Sequence, residues 1–137
     1  MRTTIGIALI GISAALLGTA AISQPGSRVA PRDQKLMEQW LAGKVEGPPV
    51  ECITYRQIRA THYVGDRTIL YKMDNGTVYR NDPPGGCAGL KSGVALETQI
   101  PTGQLCRGDI AQVRDLQLGF SAAGCAMGSF VPYRPVK

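Results

Sequence analysis

Arg67-Thr68-Ile69-Leu70-Tyr71-Lys72-Met73-Asp74-Asn75-Gly76-Thr77-Val78-Tyr79-Arg80 is the stretch on which the fold turns. β-Branched and aromatic residues lie on both sides of Asp74-Asn75-Gly76, the pattern of two strands joined by a tight turn. Asn-Gly tolerates the positive φ angles of a two-residue type I′ turn, whose twist matches that of paired strands. In that register Asp74 faces Thr77, Met73 faces Val78, Lys72 faces Tyr79 and Tyr71 faces Arg80. Ile69, Tyr71, Met73 and Val78 then share one face, the expected buried one. Asn75-Gly76-Thr77 also matches a glycosylation sequon, but a turn accounts for the same residues.

Working outward, Asn81-Asp82-Pro83-Pro84-Gly85-Gly86 is rich in breakers and reads as a loop. Val94, Leu96, Thr98 and Ile100 alternate with Ala95, Glu97 and Gln99, which is a half-buried strand. Leu105 to Asp115 reads as a further strand, Leu116 to Gly124 as a small-residue loop, and Ala126 to Tyr133 as the strand that closes the sheet. On the other side of the hairpin, Val50 to Ile53 suits a short strand. Thr54-Tyr55-Arg56-Gln57 has the form of a capping box, so either a helical turn or two through Arg59 or an extended chain fits there.

A helix is expected to begin at Pro31, where the missing proline N–H costs nothing. Asp33 complements the positive end of its dipole. Leu36, Met37, Trp40 and Leu41 form one face, and Gly43 ends it. Trp40 reads as the anchor of this helix on a sheet rather than as a ligand platform. The expected fold class is therefore α+β, mainly β: a small antiparallel sheet, flat or partly closed as a barrel, with the N-terminal amphipathic helix packed on it.

The chain starts with a single basic residue, Arg2, and carries no further charge until Arg28. Ile5 to Leu17 is apolar, and Gly18-Thr19-Ala20-Ala21-Ile22-Ser23 is small, the pattern of a secretion signal. Ala21 and Ser23 suit a cut before Gln24; Gly18 and Ala20 suit one before Ala21. A retained anchor is the competing reading, disfavoured by the alanines, glycines and serines that make the stretch weakly hydrophobic. The organisation is thus residues 1–23 signal, 24–30 a flexible lead, and 31–137 one domain. Removing 23 of 137 residues leaves 114, enough for a modest core that covalent ties would help.

Those ties are at hand. Cys52, Cys87, Cys106 and Cys125 all fall in the exported part, and an even count there reads as disulfides. Four cysteines permit three pairings. Cys87–Cys106 with Cys52–Cys125 is favoured, the first closing a loop around one strand pair. The spacings of 35, 19 and 19 residues lack the close pairs of a zinc site, and His62 is the only histidine. No metal and no cofactor are expected.

The formal charge is +5, with basic residues scattered rather than clustered. That pattern argues against nucleic acid and allows attraction to anionic envelope material. Motifs for nucleophilic hydrolases, zinc proteases and phosphate loops are absent. General acid–base chemistry would have to use His62 with Asp66 or Asp109. The densest basic set is Arg56, Arg59, His62, Arg67, Lys72 and Arg80. Arg56, Arg59, Arg67 and Arg80 are the candidate anion-binding residues, against the alternative of a solvated face that keeps a strand edge soluble.

Trp40-Leu41-Ala42-Gly43, Cys52-Ile53 with Ile58-Arg59, Ile69-Leu70-Tyr71, Gly86-Cys87, Leu105-Cys106 with Gly108-Asp109, and Phe130-Val131-Pro132-Tyr133 carry a resemblance. On these stretches the chain resembles a family of small exported proteobacterial proteins of unknown function with four cysteines. The resemblance implies a shared disulfide scaffold and a periplasmic or secreted address; it supplies no functional residue. The leading expectation is a non-enzymatic binding domain of the cell envelope, its partner an anionic envelope component or another exported protein. A small envelope hydrolase using His62 is the second reading. An inhibitor of a secreted enzyme, presenting a loop such as Pro83 to Gly86, is the third. A convex apolar patch would favour the first, a pocket with His62 and a carboxylate the second.

Overall fold

A computed structural model describes residues 29–136. The expected signal segment 1–23, with its two candidate cleavage positions, and residues 24–28 of the expected lead lie outside the described residues. The chain forms helix α1 (Pro31–Leu41), then β1 (Lys44–Glu46), β2 (Cys52–Thr54), a 3-10 turn (Tyr55–Gln57), β3 (Ile58–Val64), β4 (Thr68–Met73) and β5 (Val78–Asn81). After a long loop come β6 (Val94–Thr98), β7 (Gln104–Cys106), β8 (Ile110–Asp115), β9 (Ser121–Ala126) and β10 (Phe130–Pro135). This is an α+β, mainly β fold. The strands make three open antiparallel sheets rather than one: β1-β10-β5-β4-β3, β2-β7 and β6-β8-β9.

The β4–β5 hairpin differs from the expected register by one residue. Met73 N–H donates to Thr77 O at 2.8 Å and Gly76 N–H to Met73 O at 3.2 Å, so Asp74-Asn75-Gly76 is a three-residue loop. Only glycines among the described residues have positive φ, and Gly76, at +81°, takes the left-handed position alone. Asn75 stays right-handed and accepts the Thr77 N–H on its side chain at 3.0 Å. A type I turn plus one left-handed residue thus replaces the type I′ turn. Lys72 then faces Val78 and Tyr71 faces Tyr79. A slip of one residue exchanges the faces of a strand, so Val78 leaves the side shared by Ile69, Tyr71 and Met73.

That exchange explains why the five-stranded sheet is buried on both sides. One face contributes Ile69, Tyr71, Met73 and Phe130 to the main core, with Ile53 and Leu105 from the β2-β7 pair and Ala111, Val113 and Cys125 from the third sheet. The other face offers Val64, Leu70 and Val78 to Met37, Trp40 and Leu41 of α1 and to Tyr133. Trp40 is therefore a helix anchor. Ile69, Leu70, Val78 and Phe130 are fully buried, and each such side chain stabilises by about 1.5–3 kcal/mol.

The disulfides are Cys52–Cys106 and Cys87–Cys125, not the pairing favoured from sequence. The antiparallel β2-β7 register sets Cys52 directly opposite Cys106. Cys87 belongs to the 82–93 loop, whose fold brings it to β9. Three further expectations are corrected. Leu105–Asp115 is two strands, broken at Gly108, whose φ is +87°. Thr54 makes no capping bond; a single 3-10 turn precedes β3, which is extended. Ser121 to Gly124, expected as loop, belongs to β9, which pairs with β8 along its length, tertiary pairing overriding weak strand propensity.

Asn81 joins the layers. It is fully buried, donates to Gly128 O at 2.7 Å and accepts from Gly128 N–H at 2.9 Å. A Cβ at Gly128 would stand 2.5 Å from Asp82 O, so only glycine permits this approach.

Candidate functional site

His62 lies in the interior of β3, on the face covered by α1. Its ring centroid is 5.8 Å from that of Trp40, and its Nε2 is 3.7 Å from Asp33 Oδ1 in the first turn of the helix. Both side chains are more than four-fifths buried, and neither of these two atoms has a hydrogen-bond partner. Burial lowers the His62 pKa; Asp33 opposes that shift and Arg32 adds to it. At neutral pH the imidazole is uncharged and sits beside a carboxylate under the helix, in a packing layer. Sequence reasoning assigned Asp33 to the helix dipole and missed its meeting with His62, because that depends on where the helix lands.

Asp66 and Asp109, the other acid–base candidates, are not joined to His62. Asp66 is in the β3–β4 turn, where its backbone O accepts Cys87 N–H. Asp109 is in the β7–β8 turn, with Oδ2 accepting Cys106 N–H at 2.7 Å. Its carboxylate shapes the turn next to the Cys52–Cys106 bridge.

The basic residues divide between the two ends of the β3–β4 pair. Arg56 belongs to the 3-10 turn, and Arg59 is the extra residue of a bulge between Ile58 and Ala60. Arg59 Nη2 lies 3.8 Å from Asp74 at the hairpin turn. Arg67 is at the opposite end, roughly 20 Å away by strand rise, and Arg80, on β5, stands opposite Leu70 near the middle of β4. Lys72 lies between, its Nζ 5.8 Å from the Trp40 ring centroid. Arg67 and Arg80 line a cleft of about 390 Å³ with Val64, Thr68, Asp66 and Asp82. Asp82 occupies Arg80, whose Nε reaches its two oxygens at 2.9 and 3.2 Å, and it also accepts the Thr68 hydroxyl. Burial works against the Arg80 cation, but the Asp82 contacts outweigh it and raise the pKa. The cleft thus carries both signs of charge.

The loop between β8 and β9 has a different character. Leu116, Leu118 and Phe120 are 63, 68 and 55 % exposed on a span of five residues. The loop is nonetheless ordered by its own hydrogen bonds. Asp115 Oδ1 accepts Gln117 N–H at 2.8 Å and Leu118 N–H at 3.0 Å. Its backbone O accepts Gly119 N–H at 2.9 Å, and its N–H donates to Phe120 O at 3.0 Å. Those two side-chain contacts, with Lys91 Nζ at 3.9 Å, hold the Asp115 pKa below the usual carboxylate range. Behind the tip Leu118, Phe120, Val94, Val113 and Gly89 line a groove of about 220 Å³ together with Lys91 and Asp115. The Leu-Gln-Leu-Gly-Phe alternation is the only trace of this tip in the sequence, and alone it resembles a strand.

All four cysteines are in disulfides, and no three His, Cys, Asp or Glu side chains among the described residues are grouped to hold a metal ion. No helix among the described residues is long and apolar enough to cross a membrane. No protein-family model, no curated protein and no solved structure matches this chain.

Proposed function

We propose that this chain is an exported, non-enzymatic interaction domain of the cell envelope that docks through the Leu116–Phe120 tip. One observation carries the reading: three large apolar side chains, each more than half exposed, project from a single hydrogen-bonded loop. Isolated exposed apolar residues are ordinary, but contiguous ones mark contact surfaces. The signal pattern at residues 1–23 and the two disulfides support export. The His62 hydrolase reading has less behind it, since the imidazole lies under α1 against Asp33. The inhibitor reading also has less behind it, since in the Pro83 to Gly86 loop only Pro84 and Gly85 are exposed while Pro83 is buried.

The test is a variant with Leu116, Leu118 and Phe120 all replaced by serine, expressed in the exporting cell. Retention in the envelope fraction is compared with that of the parent protein at matched thermal stability. The reading expects the variant to wash into the soluble exported fraction. Equal retention of both proteins overturns it.

A further inference from the structure

Taking the tip as the docking surface, as proposed above, we infer that its partner is an anionic phospholipid surface, with Leu118 and Phe120 entering the headgroup boundary and Lys91 and Arg32 meeting the lipid charge. Size argues first. A stable protein interface takes about 20–30 residues from each side, whereas this surface is three apolar side chains on a five-residue loop. Such a tip buries fully in a deformable medium and only partly against a rigid partner.

Hydrogen bonding argues second. Backbone groups entering an apolar medium need internal partners. The N–H groups of Asp115, Leu116, Gln117, Leu118 and Gly119 all have one, from Phe120 O, Gly93 O, the Asp115 carboxylate twice, and Asp115 O. The loop therefore presents apolar side chains without presenting those donors.

Charge argues third. Lys91 is 68 % exposed beside Asp115, whose own carboxylate is only 16 % exposed and turned into the loop. Arg32, 76 % exposed, lies 3.6 Å from Asp33, which is only 17 % exposed, and donates to Ser92 at 2.8 Å. Ser92 adjoins Gly93, whose carbonyl accepts Leu116 N–H, so Arg32 stands at the base of the tip. Arg114 is matched by Glu97 at 2.9 Å and adds no net charge. Lys91 and Arg32 each have an acidic partner, but Asp115 and Asp33 are turned inward, so the charge that faces solvent beside the tip is that of the two cations, which suits an anionic surface. The groove behind Leu118 and Phe120, its wall mostly apolar with Lys91 and Asp115 in it, provides space for the upper part of an acyl chain.

The experiment is flotation of the protein purified from the exporting cell with two sets of vesicles, phosphatidylcholine alone and phosphatidylcholine with phosphatidylglycerol. The expected result is flotation only with the phosphatidylglycerol vesicles, weakening as salt rises. L118S and F120S should each lower partitioning on the order of tenfold, and K91E should lower it at low salt while leaving the melting temperature unchanged. No flotation with either vesicle at low salt overturns the inference, as does flotation that L118S/F120S leaves unchanged. Absent vesicle binding, a triple serine variant that still leaves the envelope fraction would make the partner a protein and preserve the docking reading. If that variant also stays in the envelope fraction, both readings fall.

Discussion

Replacing Asn81 by alanine removes the one side chain that satisfies both backbone groups of Gly128. Asn81 is fully buried, and the two bonds it makes with Gly128 are 2.7 and 2.9 Å. Truncation leaves an N–H and a C=O without partners where water does not reach. Each orphaned group costs about 1–3 kcal/mol, so the variant should lose about 2–6 kcal/mol. Domains of this kind have roughly 5–15 kcal/mol to lose. With a urea slope of about 2 kcal/mol per molar, the unfolding midpoint should fall by about 1–3 M. The assay is urea unfolding followed by Trp40 fluorescence, with both disulfides intact in parent and variant. Asn81→Asp keeps an acceptor for the Gly128 N–H but buries a carboxylate, so it should cost at least as much as alanine. A loss below about 1 kcal/mol for Asn81→Ala would refute the view that this side chain pins β5 to the β9–β10 connection.

Gly128→Ala should destabilise by a similar amount, about 2–4 kcal/mol, because the new methyl meets Asp82 O; an unchanged melting temperature would contradict that contact. The His62 pKa lies below its usual value of 6.5 in the folded chain, chiefly through burial. The unfolded chain therefore takes up the proton first as pH falls. Stability should be full above about 6.5, fall as the pH drops toward the folded-state value, and level off below it. In His62→Gln that segment of the pH profile should vanish; its persistence would assign it to other groups. Mild reductant should open Cys52–Cys106 before Cys87–Cys125, since Cys87 and Cys125 are 1 and 6 % exposed and the first pair is half-buried; alkylation followed by mass spectrometry reads the order. Asp115→Ala should speed amide exchange at Gln117 and Leu118, while exchange in β4 stays unchanged; equal exchange in parent and variant would contradict the loop's dependence on this carboxylate.

Elements whose signal is local were legible in the sequence. Pro31, the Leu36-Met37-Trp40-Leu41 stripe and Gly43 delimit the helix, and Asn75-Gly76 marks the hairpin. What failed depends on contacts between distant segments. Asn-Gly fits two turn types, and the choice between them came with Asn75 bonding Thr77 N–H, which moved Val78 to the helix face. The disulfide pairing follows from β2 lying against β7, a relation that no spacing encodes. Ser121–Ala126 has little strand propensity and pairs because β8 offers its edge. The candidate site shows the same division. His62 stood out as a lone histidine, but its neighbour Asp33 is known only once α1 is docked. Arg67 and Arg80 share a cleft, while Arg56 and Arg59 stand at the far end of the same strand pair. The exposed tip escaped notice because alternation in Leu116–Phe120 says nothing about whether a partner strand covers it.

The account depends on an exported chain whose two bridges fix the layers that present the tip. Peptide mapping without reduction, on protein purified from the exporting cell, tests this most directly. Trypsin would place the four cysteines in four separate peptides: Val45–Arg56, Asn81–Lys91, Ser92–Arg107 and the segment from Asp115 to the C-terminus. The account predicts an amino terminus at Gln24, a crosslink joining the Cys52 and Cys106 peptides, and another joining those of Cys87 and Cys125. Free thiols, or crosslinks joining Cys52 with Cys125 and Cys87 with Cys106, would contradict it.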